Sequence, residues 1–170
     1  AATTRSMIAD RAGVQRHTLY AHFPDDRSLF MACSGLSLER DPLPEAGDAS
    51  GITDIRTRVA HGLAALYGWY ARNESLAACV LRDAEHHAPT REITDLRFGP
   101  MFANYRKVLG AGLGVRATAL LNAGLSFHTW RVLAHESHLS PQAAADVVAE
   151  AVAGLSATTR SGVRAARRKA

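Results

Sequence analysis

Apolar residues recur along most of this chain at intervals of three and four, the spacing that lines one face of an α-helix. Strand-like alternation is scarce, so the pattern predicts an all-α fold. The first helical signals are short. Thr4 can cap a helix on which Ile8 and Ala12 share a face and Ala9 allows close approach of a neighbour. Gly13 then suits a left-handed helix end. Val14 is expected to turn inward. Leu19 and Phe23, four apart, give a second short helix its inner face, and Pro24 and Asp25 open a third that runs to about Glu39.

Pro42, Pro44, Gly47 and Gly51 predict a loop. A long helix follows over residues 52–72. It carries two stripes, Ile55, Val59, Leu63, Leu66 and Tyr70 on one and Ala60, Ala64, Tyr67 and Ala71 on the other, so it should be central. Asn73 can cap a helix over residues 74–86. Pro89 and Thr90 open the next, on which Phe98, Met101, Phe102, Tyr105, Val108 and Leu109 share a face. Pro100 predicts a kink or break near Arg97. Two further helices are expected over residues 116–136 and 141–155, the second with Ser140 as cap and Pro141 at its first position. Both carry apolar residues on more than one side. Leu121, Leu125 and His128 lie on one side of the first, and Leu120, Ala123, Phe127 and Trp130 on another. The second shows Val147, Val148, Ala151, Val152 and Leu155. Surplus apolar surface on a terminal helical pair is most economically buried against a second copy. The tail, residues 159–170, is small, polar and basic, and fraying is expected there.

The short helix, tight turn and second short helix at the start form a helix-turn-helix. Gln15, Arg16, His17, Thr18, Tyr20 and His22 remain on the outside, polar, basic or hydroxyl-bearing as a helix lying in a major groove requires. Arg16 suits a guanine, whose O6/N7 pair matches the guanidinium fork. A net charge of +4 and a pI near 9.5 permit a nucleic-acid partner, though much of the excess sits in the tail.

The strings IADRAGV (Ile8–Val14), TLYAHF (Thr18–Phe23) and SLF (Ser28–Phe30) resemble the tetracycline-repressor (TetR) family of bacterial transcription regulators. The likeness covers about the first thirty residues; beyond them only the helical pattern agrees. It implies residues 1–30 as the DNA-binding domain, residues 31–158 as a helical-bundle ligand-binding and dimerisation domain, and a basic tail. It also implies that Thr4 and Arg5 face phosphates, that Gln15, Arg16, His17 and Thr18 reach bases, and that Tyr20 and His22 favour the backbone. Family members have a helix before Thr4, so a preceding N-terminal segment is expected. Three positions depart from the family: Ala21 stands for a basic or polar residue, Asp26 for a lysine that meets phosphate, and Gln15 for a small hydroxyl residue. Asp25 and Asp26 would repel DNA if they faced it, with Arg27 able to compensate.

The resemblance further implies a homodimer through the two C-terminal helices and a cavity for a small-molecule effector. Trp69, Tyr70, Cys79, Met101, Phe102, Tyr105, Phe127 and His128 are the effector-binding candidates, large or polarisable residues on helices expected to share one core. They would favour a largely apolar ligand, with Tyr105 and His128 as polar contacts. Asp83, Glu85, His86 and His87, and His135, Glu136 and His138, read as solvated helix ends, and no metal is expected. Cys33 and Cys79 show no zinc spacing and are expected as reduced, buried thiols. No HExxH, Gly-x-Ser-x-Gly or glycine-rich phosphate loop is present, and neither an enzyme nor a cofactor is expected. No apolar run approaches a membrane span and no signal-peptide pattern is seen, so a soluble, cytoplasmic protein with no membrane partner is expected. The sequence thus reads as a ligand-responsive regulator, a repressor released from a palindromic operator. The alternative is a helical small-molecule-binding protein or enzyme that does not regulate DNA.

Overall fold

The computed structural model describes the backbone of residues 4–167 and the side chains of residues 4–157. Nine α-helices and no strands occur among the described residues: α1 Arg5–Ala12, α2 Arg16–His22, α3 Asp26–Arg40, α4 Ile55–Arg72, α5 Glu74–His86, α6 Ala88–Leu109, α7 Val115–Gly124, α8 Phe127–His135 and α9 Pro141–Arg167. A short 3₁₀ turn, Ala46–Ala49, interrupts the loop after α3. The chain divides into two compact units. The first holds residues to Pro42 together with Val80–Arg97, and the second holds Leu43–Cys79 and the residues from Phe98 onward.

In the first unit α1 packs against α2, and Ala9 of α1, Leu19 of α2, Leu29 of α3 and Ile93 of α6 are buried. Arg97 donates to the Met31 carbonyl at 3.1 Å, and Phe30 meets the edge of His87 with ring centroids 5.6 Å apart. His87 has a structural task. Its Nδ1 accepts from the Thr90 N–H at 3.3 Å, occupying one of the free donors at the start of α6.

In the second unit α4 is central, as its double stripe predicts. Val59, Leu63, Leu66 and Tyr67 are wholly buried, and α9 packs along α4 and α7. Asp54 caps α4 by accepting from the Thr57 N–H at 2.8 Å. Arg58, buried in the same turn, donates to the carbonyls of Ile52, Thr53 and Ala111, tying the loop before α4 to the α6–α7 turn.

Several expectations are corrected. The helix expected over residues 116–136 is two helices. Ser126 caps α8 by accepting from the His128 N–H at 3.2 Å. The carbonyls exposed at the break are taken by side chains: Tyr67 Oη donates to Gly124, Tyr70 Oη to Leu125, and Thr129 Oγ1 to Ala123, at 2.6, 2.8 and 2.6 Å. These bonds give the carbonyls of Ala123, Gly124 and Leu125 donors where the segment leaves helical geometry. Gly124 also has a packing role, since a Cβ there would lie 2.6 Å from Val148 Cγ1.

No break occurs at Pro100. The helical backbone of α6 runs through it from Ala88 to Leu109. The last helix continues past residue 155 to Arg167; the side chains of the basic tail lie outside the described residues. Val14 is 41% exposed rather than turned inward, and both cysteines are exposed rather than buried. Ser140 caps α9 as expected, accepting from the Ala143 N–H at 3.2 Å.

Candidate nucleic-acid interface

The helix-turn-helix is built from local signals that agree with one another. Thr4 is extended (φ −96°, ψ 155°) and its Oγ1 accepts from the Met7 N–H at 3.3 Å, opening α1. Gly13 closes it in the left-handed region (φ 67°, ψ 25°), and the Gly13 and Val14 N–H groups return to the Asp10 and Ala9 carbonyls. No neighbour would obstruct a Cβ at Gly13, so a substitution there would cost backbone strain and not a clash. Gln15 is again extended (φ −73°, ψ 148°) and α2 starts at Arg16. Asp25 then caps α3: its carboxylate accepts from the Ser28 N–H at 2.7 Å. Hydrogen bonding from Ser28 holds the Asp25 carboxyl below its usual range. The cap is therefore intact above the ordinary carboxylate range and weakens as pH falls through the lowered value.

This framework turns Leu19 inward and leaves Gln15, Arg16, His17, Tyr20 and His22 exposed, with Thr18 half-buried. Arg16 makes no side-chain hydrogen bond or ion pair among the described residues, and it stands in the first turn of α2. That is where a reading helix of this class meets base edges.

Three residues, Arg5, Asp26 and Arg27, stand in contacts that the sequence does not signal. Arg5 does not stand free for a phosphate. Its Nε lies 2.6 Å from Asp26 Oδ1, its Nη1 donates to the Pro24 carbonyl at 3.0 Å, and its guanidinium lies over the Tyr20 ring, 5.3 Å from the centroid. Asp26, for its part, is not an unbalanced negative charge. Arg27 pairs with Glu92 of α6 at 2.9 Å, so it is not left to compensate for the aspartates. The hydrogen bonds among these contacts join residues 19 to 65 positions apart, which spacing along the chain does not signal.

The effector candidates divide. Trp69, Tyr70, Tyr105 and Phe127 are buried, Met101 and Phe102 are half-buried, and Cys79 and His128 are exposed. Tyr70 is the hub of an aromatic cluster, with ring centroids 5.9 Å from Trp69, 5.4 Å from Phe127 and 5.7 Å from Trp130. Trp130, not among the eight candidates, is only 2% exposed, and its Nε1 has no hydrogen-bond partner among the described residues. Its place on an apolar stripe was the signal available. The phenols are committed to structure. Tyr70 binds Leu125, and Tyr105 Oη donates to the Pro44 carbonyl at 2.8 Å. Burial pushes the Tyr70 phenol well above its ordinary range and Tyr105 up to about 12. Phe102 adjoins Tyr105 with ring centroids 6.3 Å apart.

A cleft of about 550 Å³ opens elsewhere in the second unit, between α4 and α9. Arg56, Ala60, His61, Ala64, Gln142 and Asp146 are among its lining residues, and none of the eight candidates lines it. Among the described residues no three His, Cys, Asp or Glu side chains come together as a metal site, and no helix is long and apolar enough to cross a membrane.

Residues 1–33 match the family model of the bacterial regulatory proteins, tetR family. No curated protein and no solved structure matches the chain. The match spans both helices of the helix-turn-helix and supports a TetR-family, DNA-binding transcriptional regulator.

Proposed function

Starting from a chain that opens with a TetR-family DNA-binding domain, we propose that this protein is a homodimeric, cytoplasmic repressor released from a palindromic operator by a small, largely apolar effector. The observation that carries the DNA-binding part is the exposed face of α2. Gln15, Arg16, His17, Tyr20 and His22 face solvent together over a helix whose inner side is fixed by Leu19. Such a face offers guanidinium, imidazole, amide and hydroxyl groups to base edges and phosphates at once.

Dimerisation is proposed through the outward side of the C-terminal helices. Val147 and Val132 are 50% and 48% exposed, and Ala151 and Gly154 continue the Val147 side of α9 at helical spacing. Two recognition helices related by a two-fold axis would then read half-sites about one helical turn apart.

The effector is proposed to enter the aromatic region around Trp69, Phe102 and Phe127, where burial favours an apolar ligand. Tyr70, Met101 and Tyr105 lie on the same helices, whereas the exposure of Cys79 and His128 argues against a direct part for them. To release DNA it must bind the DNA-free state more tightly than the DNA-bound one, since equal affinity shifts nothing.

The test of the DNA-binding reading is titration of a mixed-sequence duplex at increasing salt. Affinity is expected to fall linearly with salt on logarithmic axes, by about 0.9 per phosphate neutralised. Absence of duplex binding at low salt would remove the reading.

A further inference from the structure

Arg5 occupies an electrostatically awkward place. It is the first residue of α1, where the helix dipole disfavours a cation. It is nonetheless held from three sides. Asp26 accepts from its Nε at 2.6 Å, Pro24 accepts from its Nη1 at 3.0 Å, and the Tyr20 ring lies beneath its guanidinium. Asp26 is the first residue of α3, where a carboxylate is favoured. The Arg5 side chain is 21% exposed and that of Asp26 is 47% exposed, so the pair is partly screened from solvent.

One side chain thus joins the start of α1 to the outer face of α2 and the start of α3. A planar guanidinium is suited to this, because it can donate in its plane while its face stacks on an aromatic ring. Lysine can keep the charge but not the three contacts together.

We propose that Arg5 is a positioning residue for recognition: with Asp26 and Tyr20 it fixes the angle at which α2 is presented, and it does not serve as a phosphate contact. The inference rests on the DNA-binding reading above. It assigns Asp26 the task of holding Arg5 away from the DNA charge balance, so the net charge of the pair is zero when the protein binds. Tyr20 keeps its hydroxyl for the DNA backbone while its ring is pinned from behind.

Salt dependence separates a positioning residue from a phosphate contact. Arg5→Ala, Arg5→Lys and Asp26→Asn are compared with the unmodified 170-residue chain. Each is titrated with a mixed-sequence duplex and with a duplex enriched from a random pool. Arg5→Ala is expected to leave the salt slope unchanged and to lower the preference for the enriched duplex by about 5-fold or more, the discrimination carried by one base pair. Arg5→Lys should not restore that preference. Asp26→Asn frees the Arg5 charge, so mixed-sequence binding should tighten and the slope steepen, by up to about 0.9 per protomer. A slope reduced by about 0.9 per protomer in Arg5→Ala, with full recovery in Arg5→Lys, would overturn the proposal and make Arg5 a phosphate contact. So would an unchanged preference in both Arg5→Ala and Asp26→Asn.

Thermal melting of Arg5→Ala, Asp26→Asn and the double variant that carries both reads the clamp without DNA. Non-additive shifts are expected from residues in contact. Additive shifts would overturn the clamp even if the chain binds DNA. Failure of the unmodified chain to bind any duplex would instead overturn the DNA-binding reading.

Discussion

Val152→Glu is expected to unfold the second unit, not to separate two folded protomers. Val152 is wholly buried within its own chain, on the side of α9 that packs along α4 and α7. Val148, one turn earlier, is 7% exposed and would meet a Cβ placed on Gly124. A carboxylate at position 152 would be withdrawn from solvent among the apolar residues of the core. An uncompensated buried charge costs about 3–5 kcal/mol, a large part of the roughly 5–15 kcal/mol that holds a typical domain folded. The expected result is loss of the cooperative melting transition or insoluble protein. Val147→Glu gives the contrast, because Val147 is half-exposed on the outward side. It should keep the melting transition while sedimentation shows a monomer in place of the dimer. A folded monomer from Val152→Glu, or a dimer untouched by Val147→Glu, would contradict this placement of α9. The sequence-based expectation had put Val148 and Val152 among the spare surface for dimerisation. The structure assigns them to the protomer core and leaves Val147 outside.

Arg16→Ala is expected to cost the largest share of sequence discrimination. Arg16 is exposed at the start of α2, and among the described residues no pair has to be broken before it can reach a base. A bidentate arginine–guanine contact is worth about 1–3 kcal/mol, and a symmetric dimer makes it twice. Loss of it should relax specificity at one position of each half-site. His22→Ala, at the other end of α2, should weaken binding by a similar factor on every sequence. Competition between an enriched duplex and single-base variants of it checks both. Equal discrimination by Arg16→Ala and the unmodified chain would show that α2 meets DNA in another register.

The helix-turn-helix was legible in the sequence because its determinants are local. Thr4 and Met7, Gly13 and Ala9, and the spacing of Leu19 each act within a turn or two of the chain. What stayed hidden depends on partners far along it. The pairing of Arg5 with Asp26, 21 residues away, is one such contact, and nothing in the local spacing signals it. The break at Ser126 was marked by Gly124 and a capping serine, but continuous apolar spacing on either side concealed it. The donors that make the break affordable, Tyr67 and Tyr70, sit more than fifty residues earlier.

A similar limit applies to helices that are apolar on several sides. Periodicity shows that α9 has apolar stripes but not which one faces its own chain. Large or polarisable residues on shared helices, the mark of the effector candidates, gather in a core as readily as around a cavity. Trp69, Tyr70 and Phe127 are buried together, while Cys79 and His128 point to solvent because helix spacing alone did not fix their side. His87 was read as a solvated helix end; its ring nitrogen in fact caps α6, a contact that needs the turn geometry and not the composition.

The proposed role of the exposed face of α2 is to read DNA as one half of a symmetric pair. The most direct measurement is selection of bound duplexes from a random-sequence pool by the unmodified chain, followed by sequencing. The expected result is enrichment of an inverted repeat whose half-site centres lie about 10 base pairs, or one helical turn, apart, with the enrichment lost in Arg16→Ala. A pool that stays random after repeated selection, or enrichment of a sequence that Arg16→Ala selects equally well, would contradict it.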